Sequence, residues 1–149
     1  MSIREVTLDD VEVVSPLFDA YRMFYEQKSD LDAAAQCLTE NLLCQRSHVF
    51  VFEGNDVVLG FTQLYPAFCS VAMKPFFVLY DLYVVPNARG EGVGSSLLRF
   101  AHQWARAQGA FRVDLETAHT NVTAQSVYEA LGYELDTEFR KYSFDLASE

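Results

Sequence analysis

Arg89, Gly90, Gly92 and Gly94 stand in the run DLYVVPNARGEGVGSSLLRFAHQWARAQG, residues 81 to 109, where an apolar strand-like stretch breaks into a basic, glycine-rich turn and resumes as a helix. The chemistry these residues offer is anion binding. Without Cβ atoms, Gly90 and Gly92 can take φ > 0 and let the backbone approach a ligand closely. The first N–H groups of the following helix have no intrahelical partner, and with the positive end of the helix dipole they favour a phosphate. The charge distribution agrees. Residues 86 to 112 hold Arg89, Arg99, Arg106 and Arg112 against Glu91 alone, a charge of +3, and the formal −10 of the chain leaves −13 elsewhere. A basic island in an acidic protein suits a polyanionic ligand at one site and a cationic molecule steered to another; it argues against nucleic acid as a partner.

Two well-known phosphate loops fail on the letters. A Walker loop needs Lys and then Ser or Thr after its last glycine, whereas Gly94 is followed by Ser95, Ser96 and Leu97. The dinucleotide pattern GxGxxG needs a third glycine where this chain has Val93 or Leu97. What does match is Arg89xxGly92xGly94 after an apolar strand ending at Pro86. This resembles the coenzyme A pyrophosphate loop of the GNAT superfamily of acyl-CoA N-acetyltransferases. A second block, VDLETAHTNVTAQSVYEALGYE at residues 113 to 134, resembles the second block of that family through Asn121, Ala124, Tyr128 and Leu131-Gly132-Tyr133. The resemblance covers the C-terminal half sharply and the N-terminal half through the order of its elements.

The resemblance implies an acetyl-CoA-dependent N-acetyltransferase. It would move the acetyl group to a primary amine of a small molecule or peptide by direct transfer in a ternary complex, since no well-placed nucleophilic cysteine accompanies the motif. The alternative is a catalytically idle acyl-CoA-binding or regulatory module, and retention of Tyr128 with Asp81 and Glu116 favours the enzyme. Cofactor contacts are implied for the backbone of Tyr83, Val84 and Val85, for the loop residues Arg89, Gly90, Glu91, Gly92, Val93, Gly94 and Ser95, and for Asn121 and Tyr128. Asn121 also fits as the N-cap of its helix.

An alkylammonium with a pKa near ~10.4 is neutral in only about one molecule in 10³ at pH 7, so a base is needed. Asp81 is the first choice, because it sits inside an apolar strand where an unpaired charge is expensive. Glu116 is the second. The other reading for both is a local pairing with an arginine or a backbone group. The backbone of Tyr83 to Val85 would polarise the thioester carbonyl. Tyr128, at the family's general-acid position, would protonate the departing thiolate, and its competing reading is a core aromatic. The acceptor pocket of this superfamily is lined by the first two helices and their loop, here residues 21 to 32. Tyr21, Phe24 and Tyr25 could form an aromatic wall for an amine, with Asp30 or Asp32 at the rim and Asp81 counted among the acceptor contacts, although at least two of these aromatics are expected simply to pack the helix on the sheet.

Several elements must position these residues. IREV is a short strand, and residues 8 to 27 carry a helical stripe capped by Thr7 or Asp9 and kinked or delayed by Pro16. Leu31 to Arg46 reads as a second helix. HVFVFEG and VVLGFTQLYP form a hairpin through Asn55-Asp56, and FFVLYDLYVV is a central strand covered on both faces. After the glycine turn comes a helix stopped by Gly109, then the strand FRVDLET, the helix NVTAQSVYEAL stopped by Gly132, and a last strand EFRKYSFDL. The fold class is α/β and GNAT-like: one domain over residues 1–149, with a mixed central sheet of about six or seven strands flanked by about four helices.

Half of the 149 residues are apolar, enough for a substantial core. No apolar stretch reaches the ~20 residues of a membrane span and the N-terminus lacks the plan of a signal peptide, so no membrane partner and a cytoplasmic location are expected. Cys37, Cys44 and Cys69 form no CxxC pair and read as buried thiols. His48, His102 and His119 lack metal-ligand spacing, and no metal is expected. Dimerisation is common in the family, and the β-rich C-terminal run could supply an edge for a homodimer.

Overall fold

Strands that are apolar at nearly every position must be covered on both faces. In the computed structural model, which describes residues 1–147, such strands form the middle of a five-stranded sheet. Its order is β1 (Ser2–Glu5), β2 (His48–Gly54), β3 (Val57–Cys69), β4 (Lys74–Val84) and β5 (Val113–Asp114). The first four pair antiparallel and β4 pairs parallel with β5, so the sheet is mixed as expected. Asn55 and Asp56 close the β2–β3 hairpin with φ of 53° and 61°, the positive pair that a type I′ turn requires.

Side chains alternate across the sheet, and β2 shows where each face goes. Val49 and Val51 join Val14 and Phe18 of α1 (Val11–Phe24), Leu38 of α2 (Leu31–Leu43) and Phe61 of β3 in one core. Phe50, between the two valines, points the other way and meets Phe100 and Trp104 of α3 (Val93–Ala107) at 5.2 and 5.0 Å. Thus α1 and α2 cover one face and α3 the other. Gly60 on β3 permits the closest approach on the α3 side. A Cβ there would stand 2.9 Å from the Tyr83 carbonyl oxygen and 3.2 to 3.3 Å from Val93 and Leu97. Gly60→Ala should lower the stability of the protein by about 1–3 kcal/mol, the usual penalty for overpacking. Urea denaturation measures it, and an unchanged midpoint would show that the strand end and α3 can separate freely.

The caps explain the helix boundaries. Thr7 and Asp10, not Asp9, close a capping box over a 3₁₀ turn at Leu8–Asp10 that runs into α1, and Pro16 is accommodated within α1 without a late start. Asp30 caps α2 by accepting from the Ala33 N–H at 3.0 Å. The expected end of α2 at Arg46 is corrected to Leu43. Gln45 takes φ 51°, and the N–H groups of Gln45 and Arg46 bond back to Leu42 and Asn41 in a Schellman arrangement formed without a glycine.

The chain divides into two compact units, Met1–Glu116 and Thr117–Glu149. The second contains α4 (Val122–Ala130), capped by Asn121, whose side-chain oxygen accepts from the Ala124 N–H at 3.2 Å. Gly132 at φ 97° ends it as the sequence indicates. The expected count of six or seven strands is corrected to five among the described residues. FRVDLET contributes only Val113–Asp114, and EFRKYSFDL forms no strand, with Phe139, Tyr142 and Phe144 exposed. Alternation of polar and apolar residues marks a strand's faces but cannot supply the neighbouring strand that its backbone must pair with. The expectation of buried thiols is corrected too: Cys37 and Cys69 are half-buried and Cys44, at the C-cap of α2, is exposed. Among the described residues no helix is long and apolar enough to cross a membrane.

Candidate active site

The orientation of Asp81 is set by one extra residue. Leu64 pairs with Leu79 and Gln63 with Asp81, so Tyr80 has no opposite number and β4 bulges there. Phe77 lies on the α3 face, its ring 4.9 Å from Trp104, and regular alternation would carry Leu79 and then Asp81 onto that apolar side. The bulge turns Asp81 to the opposite face, beside Gln63 and below α1 and α2. A bulge has no sequence letter of its own, and this one decides what the carboxylate can reach.

Asp81 is only 4 % exposed. Its Oδ2 accepts from the Gln63 Nε2 at 2.5 Å, and no arginine pairs with it among the ion pairs described. Burial pushes its carboxyl up to about 6, while the Gln63 amide and the Tyr21 hydroxyl act in the opposite direction. A carboxyl titrating near neutrality is suited to accept and release a proton under physiological conditions. Tyr21 is itself held in place: its hydroxyl donates to the Tyr80 carbonyl at 2.9 Å and its ring packs edge-on against Phe61. Phe24 and Tyr25 meet edge to face at 5.3 Å and are 62 % and 46 % exposed. The expectation that at least two of the three aromatics pack onto the sheet is therefore corrected to one, because α1 turns the other two toward solvent.

From Asp81 the strand runs three residues to Val84 and enters the glycine turn. Pairing with β5 covers only Phe77 and Val78, so from Leu79 onward β4 has no strand neighbour on that side among the described residues. This is the splay expected after the resemblance, and it flanks Tyr83 and Val84. Gly90 and Gly92 take φ of 81° and 84°, and a Cβ at either would meet nothing within 4 Å. Gly92 is the N-cap of α3, and the first intrahelical bond runs from the Ser96 N–H to the Gly92 carbonyl at 3.0 Å. The N–H groups of Val93, Gly94 and Ser95 precede that bond and lie at the positive helix end. A Cβ on Gly94 would make an ordinary 3.7 Å contact with Val84.

Arg89 is exposed, and its Nε donates to the Val84 carbonyl at 2.9 Å with the guanidinium 5.4 Å from the Tyr83 ring, which braces the turn against the strand end. Glu91 is exposed. Arg112 is engaged elsewhere, paired with Asp114 at 3.0 Å and laid over Phe76 and Phe111, so the basic island is weaker than its letter count. Glu116 is exposed at the end of the first unit, in contrast to Asp81. In the second unit Tyr128 is half-buried, its ring 5.8 Å from that of Tyr133. α4 has no fully buried residue.

Sequence reading missed the polar cluster under Asp81. Gln63 and Asn41 are fully buried, Ser47 nearly so, and Asn41 and Ser47 both donate to the Gln63 amide oxygen. The available signal was an amide at an inward position of an otherwise apolar strand, since buried polar groups need partners.

A mixed sheet split beside a strand-to-helix glycine turn, with a buried carboxyl on that same strand, is the arrangement in which these candidate residues sit. Residues 14–133 match the Acetyltransferase (GNAT) family, and the chain belongs to it. Uncharacterized N-acetyltransferase YhfO of Bacillus subtilis is 44 % identical over 146 residues, covering 98 % of each chain. Aminoglycoside N(6')-acetyltransferase type 1 of Klebsiella aerogenes is 37 % identical over 79 residues, covering 50 % of this chain and 51 % of that one. The crystal structure of a probable acetyltransferase superposes with a TM-score of 0.94 at 36 % identity and covers 100 % of both chains.

Proposed function

We propose that this protein is an acetyl-CoA-dependent N-acetyltransferase that acylates a primary amine of a small molecule or peptide by direct transfer, with residues 1–149 acting as one transferase domain. The observation that carries the reading is Asp81: a buried carboxyl held by neutral donors, on the strand that leads into the glycine turn. The family match runs from 14 to 133, through the junction at residue 116, and supports a single functional domain.

The loop fits coenzyme A on its own geometry. Open space at Gly90 and Gly92 leaves the backbone accessible, and the amides of Val93, Gly94 and Ser95 offer donors where a pyrophosphate needs them. Arg89 braces that turn, and Tyr83 to Val85 present backbone to the pantetheine arm along the splayed edge; for Asn121 and Tyr128 the assignment as cofactor contacts rests on the family motif alone. Bound acetyl-CoA supplies an activated thioester. Asp81 takes the proton of the attacking amine, with Glu116 as the second carboxylate for the acceptor side. Backbone N–H groups at the end of β4 stabilise charge on the carbonyl oxygen. Tyr128 donates its hydroxyl proton to the leaving sulfur. Phe24 and Tyr25, exposed at the C-terminal end of α1, offer π faces to a cationic acceptor. The aminoglycoside enzyme among the relatives makes polyamine-like acceptors a first choice for testing.

Tyr128→Phe should lower turnover by about 10²-fold or more while leaving acetyl-CoA binding close to normal, within the range of general acid catalysis. Steady-state kinetics measures it, and unchanged turnover would reduce Tyr128 to packing. Calorimetric titration with acetyl-CoA, followed by a turnover assay on the same preparation, tests the reading as a whole. Binding with amine-dependent turnover supports the enzyme, binding without turnover of any amine supports the idle acyl-CoA module, and absence of binding contradicts both.

A further inference from the structure

Beneath Asp81 the buried side chains form a chain with only one self-consistent direction. Arg46 donates from Nη1 to the Asn41 Oδ1 at 3.0 Å. A guanidinium can only donate, so the Asn41 oxygen is fixed toward it and the Asn41 Nδ2 must point inward. That Nδ2 donates to Gln63 Oε1 at 3.0 Å and to the Tyr65 hydroxyl oxygen at 3.1 Å. The Ser47 hydroxyl donates to the same Gln63 Oε1 at 2.7 Å. With two donors on its oxygen, Gln63 has its Nε2 turned to Asp81 Oδ2. Flipping the Gln63 amide would set oxygen against carboxylate at one end and face N–H against N–H at the other.

Each link is placed by local structure already described. The Schellman end of α2 at Gln45 brings Arg46 and Ser47 back beneath Asn41. The bulge at Tyr80 brings Asp81 opposite Gln63. Gln63 and Asn41 are 0 % and 1 % exposed, so water does not replace these bonds.

We propose that Gln63 is a positioning residue for Asp81, with Arg46, Asn41 and Ser47 orienting its amide so that Oδ2 is a permanent hydrogen-bond acceptor and Oδ1 is the atom that receives the acceptor amine's proton. The proposal rests on the reading of Asp81 as the base. Its physical content is that the Gln63 N–H favours the ionised carboxylate, which burial alone would suppress. The other groups facing Asp81 are Tyr21 from α1, which acts on it in the same direction as Gln63, and Cys37 from α2 and Tyr65 from β3; burial holds all three protonated, so none adds a charge of its own. The charged groups acting on Cys37 besides Asp81 are Arg46, Glu40 and Arg22.

The test is a ¹³C NMR titration of the Asp81 carboxyl in protein labelled at aspartate, for the natural protein, Gln63→Leu, Ser47→Ala and Arg46→Met. Gln63→Leu should raise the Asp81 midpoint by about one to two pH units, as expected for loss of a hydrogen bond to a charged group. Ser47→Ala and Arg46→Met, which leave Gln63 in place, should raise it by less and serve if Gln63→Leu fails to fold. The acidic limb of kcat/KM should move alkaline by the same amount in each variant. Folded variants with an unmoved Asp81 midpoint would overturn the proposal. A midpoint that moves while the rate profile stays fixed would instead leave the positioning intact and refute Asp81 as the base, so the two failures are separable.

Discussion

Asp81→Asn should lower kcat by about 10²–10⁴-fold and at the same time make the protein more stable above pH 6. The loss of activity follows from removing the proton acceptor, since general bases typically contribute that factor. Asparagine keeps the shape and can still accept from Gln63 Nε2, so the pocket should remain intact. The gain in stability follows from linkage. Burial raises the Asp81 carboxyl from 3.8 to about 6, so the folded state binds this proton more tightly than the unfolded chain. The stabilisation from that proton is fully present below about 3.8 and is lost as pH rises through 6. Above pH 6 the folded state carries a buried charge at an expense of roughly 3 kcal/mol, from about two units at 1.36 kcal/mol each. Asparagine removes that expense. Thermal melts of both proteins should therefore differ at pH 8, with the variant higher, and converge near pH 4. A variant that is active, or one less stable at pH 8 than at pH 4 relative to the natural protein, would contradict the role of Asp81 or the cause given for its ionisation.

Gly92→Asp should abolish coenzyme A binding while leaving the fold intact. The site has φ 84° and open space where a Cβ would go, so the variant has room, at a strain of about 1–2 kcal/mol for a left-handed residue. The larger effect is electrostatic. One added negative charge about 6 Å from a pyrophosphate charge costs roughly 3 kcal/mol at an effective dielectric of about 20, and the pyrophosphate carries two. Together these exceed a 10²-fold loss of affinity. Gly92→Ala carries the strain without the charge and should lose much less. Calorimetry on both variants separates the terms: equal losses would mean that backbone conformation, not anion binding, is what Gly92 provides, and no loss in either would remove the loop assignment.

The legible parts of the site were those written in local letters. The spacing of Arg89, Gly92 and Gly94 marked a turn that does sit at the N-terminus of α3 with the positive φ that glycine permits. Asn121, Gly109, Gly132 and the Asn55-Asp56 pair marked caps and a turn, because each meets a steric or hydrogen-bonding demand within four residues of itself. Asp81 stood out as a charge in an apolar strand. What the letters could not carry was non-local. The bulge at Tyr80 depends on how β3 and β4 register, the amide chain beneath Asp81 joins residues 22 and 18 apart, and the end of α2 uses Gln45 in a conformation that usually announces itself with glycine. The strand expected over residues 138 to 146 failed for the converse reason. Its alternation was present, but pairing is a property of two strands, and the letters describe one.

The most direct test of the account is release of free thiol from acetyl-CoA, measured with polyamines, amino acids, aminoglycosides and lysine peptides, for the natural protein and Asp81→Asn side by side. Amine-dependent release that rises with pH through about 6 and is lost in the variant is the predicted result. Equal release by both proteins, or release that does not depend on any amine, would contradict a transferase that deprotonates its acceptor through Asp81.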